Sequence, residues 1–143
     1  MANFVFNRAA GSGAELARAT PGGVQLILLK GMAADAVNQD FATLTEFLAN
    51  ASNIEADFTG YARKLLSNVQ VTTDNATNVT SIDADDLTYD PAGGAVDNDV
   101  LAAVILSTTG EILMSKHDLI FTTTGSLLRI FLPGGGFYQA ANV

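Results

Sequence analysis

Cysteine is absent from the 143 residues, so neither a disulfide framework nor a thiolate metal site can be built, and the redox compartment is unreadable. Tryptophan is absent as well, and tyrosine occurs three times. A glycosidase cleft, with two carboxyls flanked by sugar-stacking aromatics, has little to be made from. Cations are scarce: seven Lys and Arg stand against fifteen Asp and Glu, giving a formal net charge of −8 and a pI near 4.2. Neutralising phosphates takes clustered Lys and Arg, so no nucleic-acid partner is expected. The longest purely apolar run, "VLAAVIL" at Val100 to Leu106, falls far short of the roughly 20 residues of a membrane helix, and no membrane partner is expected either. The opening "MANFVFNRAAGSG" lacks the basic start and long apolar stretch of a secretory signal, so export by that route is not expected.

Catalytic groups are equally sparse. The single histidine, His117, sits in "SKHDL" between Lys116 and Asp118 and reads as a solvated turn residue. No G-x-S-x-G elbow accompanies it, and the glycine runs "GSG" and "GGG" are not followed by the Lys-Ser/Thr of a phosphate loop. No catalytic residue, cofactor or metal ligand is assigned, and the chain is expected not to be an enzyme.

What the chain does have is apolar surface with little charge to cover it. Hydrophobic residues make up 48% and charged residues 15%, against about 25% charged in an ordinary soluble domain. Lightly charged surfaces associate, so part of this one is expected to be covered by neighbours, the alternative being a monomer coated in Thr, Ser, Asn and Gly. The length suits one domain, 1–143, with extended arms at 1–23 and 133–143.

Periodicity predicts a mainly β fold, a sandwich or jelly-roll-like barrel with one short amphipathic helix. "FVF" begins a strand, "AELARA" from Ala14 makes a helical turn, and "TPGG" turns into "VQLILLKG", whose near-continuous apolar character predicts a strand buried on both faces. In "DFATLTEFLAN", Phe41, Leu44, Phe47 and Leu48 share one helix face, with Asp40 as N-cap. "YARKLLS" alternates, placing Tyr61, Arg63 and Leu65 on one face of a strand over 60–66. "VQVTT" and "NVTSI" flank a "DNAT" turn as a hairpin, and "PAGG" ends "DDLTYD". "VLAAVILS" and "EILMS" are joined around Thr109-Gly110, and "LIFTTT" and "LLRIFL" around Gly125-Ser126, as two further hairpins. The uncharged tail "LPGGGFYQAANV" is either an arm delivering Phe137 and Tyr138 to a neighbouring subunit or a last edge strand on its own domain.

Between Lys64 and Lys116 no basic residue occurs, yet eight carboxylates do: Asp74, Asp83, Asp85, Asp86, Asp90, Asp97, Asp99 and Glu111. An EF-hand is excluded because Leu87 and Thr88 occupy its fifth and sixth positions. The belt is solvated loop surface or a patch facing a basic partner, with an irregular Ca²⁺ loop as the remaining alternative. Sequons at Asn50, Asn75 and Asn78 are read as chance.

"TGYARKLL", preceded by "IEADF" and followed by "IDADDLTYDPAGGAVDNDV", resembles a group of small virion structural proteins of tailed bacteriophages. The opening "MANFVFNRAAG", the "LILLKG" strand and the "DF..L..FLA" helix extend the resemblance over nearly the whole chain. It implies a virion location and, foremost, a capsid decoration or cement protein bound to the major capsid protein, self-associated as a trimer. A head-tail connector, a tail component or a carbohydrate-binding adhesin displayed on the virion are the alternatives. Within that picture Tyr61, Arg63, Phe137 and Tyr138 are the expected interface residues, Arg63 because a planar guanidinium binds a carboxylate bidentately. The competing reading of Arg63 is a salt bridge within its own sheet.

Overall fold

The computed structural model describes residues 2–6, 23–132 and 136–141. "GSG", "AELARA" and most of "TPGG" and of "GGG" lie outside the described residues. The centre is a strand, β2 (Val24–Gly31), in which Val24, Leu26, Ile27, Leu28 and Leu29 are all buried, as its run of apolar residues predicts. Such two-faced burial is worth about 1.5–3 kcal/mol per large side chain. It also requires that β2 be covered above, below and along both edges.

One edge is covered by β8 (Asp99–Ser107), which pairs antiparallel with β2 from Val24↔Ser107 to Leu29↔Ala102. β8 pairs in turn with β9 (Ile112–Thr122), and β1 (Phe4–Val5) pairs with β9 at Ser115 and Lys116. The other edge takes two short pieces, β3 (Ile54–Glu55) and β4 (Lys64–Leu65). Here the alternating strand expected over 60–66 shrinks to two residues, because Gly60 is at φ +86° and its Cα hydrogens pack on the Pro91 carbonyl where a Cβ would clash.

The expected "EILMS" and "LIFTTT" strands are one continuous β9, with no turn at "SKHDL". Side-chain alternation along β9 sends Lys116 to one face and His117 to the other. Consequently "LIFTTT" and "LLRIFL" do not form a hairpin with each other. β10 (Leu128–Ile130) pairs instead with β7 (Leu87–Tyr89) as a two-stranded ribbon. A three-stranded sheet completes the set: β5 (Gln70–Asp74) and β6 (Val79–Asp83) form the expected hairpin, and β11 (Tyr138–Ala141) adds to the far side of β6. The mainly β expectation holds, with every strand pair antiparallel and no closed barrel among the described residues.

Two short helices are described rather than one. α1 (Asp35–Asn38) stands where a polar linker was expected, and α2 (Leu44–Ala49) is the amphipathic one. The N-cap of α2 is Thr43, not Asp40: its hydroxyl accepts from Glu46 N–H while the Glu46 carboxylate accepts from Thr43 N–H, a reciprocal capping box. Phe47 packs edge-on against Phe6 and Phe41, at 6.0 Å between ring centroids in each case. The six-stranded sheet is therefore sandwiched. Phe6 and Lys116 meet Phe47 and Asp35 on the helical side, while Leu26, Ala103, Ile105 and His117 line a groove with Ile130, Phe131 and Leu132 on the other.

Lys116 shows how strictly the helical side is organised. Its side chain has no solvent exposure, and its ammonium bonds Asp118 at 2.7 Å and Asp35 at 3.1 Å, 5.1 Å from the Phe4 ring centroid. A buried charge persists only with such partners. The lysine thereby ties β9 to α1 and to the N-terminal strand.

Candidate interaction surface

Of the four residues expected at an interface, the structure brings Tyr61 and Arg63 together, on a carboxylate of their own chain. The Glu55 carboxylate accepts from Tyr61 Oη at 2.8 Å and from Arg63 twice, at 2.8 Å from Nε and 2.7 Å from a terminal nitrogen. The bidentate geometry is the one expected of Arg63, but its carboxylate belongs to the competing, intrachain reading. Burial opposes ionisation of Glu55; the bonds from Arg63 and Tyr61 outweigh it and hold the carboxyl below its ordinary value. The Arg63 guanidinium is raised, chiefly by its bonds to Glu55. Burial pushes the Tyr61 phenol up, and the neighbouring carboxylate pushes it further.

The cluster has a structural task that explains why a tyrosine is needed. β3 and β4 leave a gap along the outer edge of β2, and within it the Tyr61 hydroxyl accepts from Leu28 N–H at 3.2 Å. Ala56 N–H donates to the Leu28 carbonyl and Leu66 N–H to the Val24 carbonyl, both at 2.8 Å. An unpaired edge on a largely buried strand would leave orphan backbone groups, and these bonds give Leu28 and Val24 their partners. Behind the plug Tyr61 stacks on Tyr89 and Phe58 meets both edge-on, at 5.3–6.0 Å between centroids, and the Lys64 ammonium lies 4.9 Å from the Tyr89 centroid.

Phe137 and Tyr138 are buried, at 3% and 2% exposure, within their own domain. Of the two readings of the tail, an arm to a neighbour or an edge strand on its own domain, the described residues follow the second: β11 pairs with β6, and Phe137 N–H donates to the Ile82 carbonyl at 2.8 Å. Gly136, at φ +92°, sits so close to Ile82 that a Cβ would strike its carbonyl, which is why a glycine precedes the aromatic pair. The N-terminal arm is likewise anchored where it is described, since β1 pairs with β9.

His117 is no solvated turn residue: it is half-buried on β9, 3.0 Å from Ser115 Oγ and bonded to the Phe137 backbone. Burial holds its imidazole below the ordinary value, with Lys116 adding to the effect. Ser115 itself is almost fully buried, so the pair locks β9 to the C-terminal strand and offers no exposed nucleophile.

The acidic belt is largely engaged in its own loops. Asp74 caps the hairpin turn by accepting from Ala76 and Thr77 N–H, and Asp97 accepts from Gly94 N–H and Thr123 Oγ1. Asp83, Asp85, Asp86, Asp99 and Glu111 also accept bonds, from Ala84, Ser67 and Asn68, Leu132, Thr122 and Thr45 respectively. No group of three or more metal-ligating side chains occurs among the described residues.

The surface that the sequence reading missed lies further along. In the fourteen residues from Leu119 to Leu132, "LIFTTTGSLLRIFL", Arg129 is the one charge. Ile120, Phe131 and Leu127 within it are 71%, 69% and 59% exposed, more than any other large hydrophobic side chain described. The fourteen-residue composition was a visible signal, masked by reading the segment as a hairpin whose faces would both be used internally. Comparison with protein-family models, with curated proteins and with solved structures finds no match to this chain.

Proposed function

We propose that this protein is a structural component of a bacteriophage particle, a decoration protein that seats on the major capsid shell and stabilises it. The observation that supports this reading on the molecule is the exposure of Ile120, Leu127 and Phe131 in a stretch with one charge. Three highly exposed apolar side chains within fourteen residues of sequence are the kind of surface that association covers. The sequence resemblance supplies the kind of partner, and the internal engagement of Tyr61, Arg63, Phe137 and Tyr138 moves the contact away from those residues to Leu119–Leu132. On a shell, each copy needs only a modest contact. Many identical contacts, each worth little, hold neighbouring capsid subunits together through their number.

The test is co-sedimentation of the purified full chain with tailed-phage capsid shells, comparing wild type with Ile120→Asp. Wild type is expected to pellet with shells in saturable fashion, and Ile120→Asp to lose at least tenfold in affinity while keeping its melting temperature. Wild-type protein that stays in the supernatant at all shell concentrations overturns the reading.

A further inference from the structure

The β7–β10 ribbon presents an outward face whose pattern is complementary to itself. Arg129 lies opposite Thr88, flanked by the rungs Leu128↔Tyr89 and Ile130↔Leu87. The ladder continues toward the turn, where Ala92 N–H donates to the Ser126 carbonyl and Gly125 N–H to the Ala92 carbonyl. Period-2 alternation puts Leu87, Tyr89, Leu128 and Ile130 inward, and all four are buried or packed on the core. It puts Asp86, Thr88 and Asp90 outward on one strand and Leu127, Arg129 and Phe131 outward on the other, and all six are exposed. The Arg129 guanidinium lies 5.4 Å from the Phe131 centroid, which fixes the two on one face.

Two charges on this face lack partners. Arg129 makes no ion pair among the described residues, and Asp90 accepts no hydrogen bond there, unlike the other seven carboxylates of the belt. We infer that the ribbon face is the contact by which two copies of this chain pair about a two-fold axis parallel to the strands. Rotation about that axis lays the Leu127–Arg129–Phe131 column of each copy over the Asp86–Thr88–Asp90 column of the other. Each Arg129 then comes down opposite Thr88, with carboxylates about 7 Å away along the strand on either side, within reach of its long side chain. Phe131 and Leu127 lose their exposure to water in the same step. The perpendicular in-plane axis would set Arg129 on Arg129, and like charges face to face are disfavoured. An isologous contact of this kind makes pairs and not the trimer implied by the resemblance. The pairing stands on the ribbon alone and does not depend on the particle reading; it takes Leu127 and Phe131 and leaves Ile120, on β9, as the exposed side chain for the shell.

Analytical ultracentrifugation of the full chain at rising concentration tests it. Wild type is expected to form a two-chain species, Arg129→Asp to raise the dissociation constant at least tenfold, and the swapped variant Arg129→Asp with Asp90→Lys to recover most of that loss. Both variants carry exposed changes, and circular dichroism checks that each keeps its β-sheet signal. A wild type that stays monomeric at the highest concentration overturns the proposal, as does a trimer. Pairing unmoved by Arg129→Asp, or not recovered in the swap, also overturns it. So does a ribbon that Phe131→Asp shows to be needed for capsid binding while the wild type remains monomeric.

Discussion

Among the described residues, two arginines each sit two residues from an aromatic side chain, and their surroundings differ. Arg63, next to Tyr61, is held bidentately by Glu55, and the trio fills the gap in the outer edge of β2. Arg129, next to Phe131, faces outward from a two-stranded ribbon with no carboxylate bound to it among the described residues. The first pair is satisfied by its own chain and so serves stability. The second has the same chemical capacity left over, and spare capacity on an apolar face is what a partner uses. The lesson is that a motif's composition states what it can bind, while burial and pairing decide whether that capacity is already spent.

The sharpest way to break this contrast is to remove the aromatic member of each pair. Tyr61→Ala takes out the edge plug, the stacking against Phe58 and Tyr89 and a buried hydroxyl, and is expected to cost about 3 kcal/mol in chemical denaturation. Phe131→Ala, at 69% exposure, is expected to change the stability of the single chain by no more than about 0.5 kcal/mol. Next in size is Glu55→Ala, which leaves the Tyr61 hydroxyl and Arg63 without their acceptor. A loss of about 2 kcal/mol is expected at neutral pH. Because the folded carboxyl is depressed, its contribution is complete above the unfolded value near 4.5 and is lost as pH falls through the folded one. The gap between wild type and Glu55→Gln in melting temperature should therefore narrow as the solution is acidified below pH 4.5, and a gap that widens would contradict the clamp.

A smaller effect is expected at His117. Its folded imidazole protonates below the ordinary 6.5, so its contribution is whole above that pH and declines as pH falls toward the folded value. His117→Gln should flatten the loss of stability between pH 6.5 and 5 while leaving the melting temperature at pH 8 within a few degrees. A loss equally steep in the variant would show that His117 does not carry it.

The course of β2 was legible because its apolar residues are continuous, and the β5–β6 hairpin because turn residues separate two β-branched runs. The helix was legible in type but not in its start, since Asp40 and Thr43 are both good caps and only the reciprocal bond with Glu46 decides between them. The long β9 was misread for a physical reason: three polar residues, Lys116, His117 and Asp118, imitate a turn, whereas a fully buried ammonium held by two carboxylates lets the strand run straight through. That error hid the exposed ribbon face. Once "LIFTTT" and "LLRIFL" are not partners, β10 must pair elsewhere, and its pairing with β7 is what sets Arg129 and Phe131 outward. Tyr61 and Arg63 were expected at an interface with a carboxylate for Arg63 to bind; the carboxylate it binds is Glu55 of its own chain, close by in the sequence. What the sequence could not carry is that β2 has a gap in its edge at Leu28, because that depends on where two other segments stop pairing.

The most direct test crosses the two arginines, measuring both melting temperature and solution mass for Arg63→Ala and Arg129→Ala. Arg63→Ala is expected to lower stability by about 1 kcal/mol, its ion pair being partly solvated, and to leave the mass of the assembled species unchanged. Arg129→Ala is expected to leave the monomer's stability unchanged and to shift the mass toward a single chain. The opposite outcome, with Arg63→Ala dissociating the assembly and Arg129→Ala only melting earlier, would contradict the division of labour between the closed edge and the open ribbon.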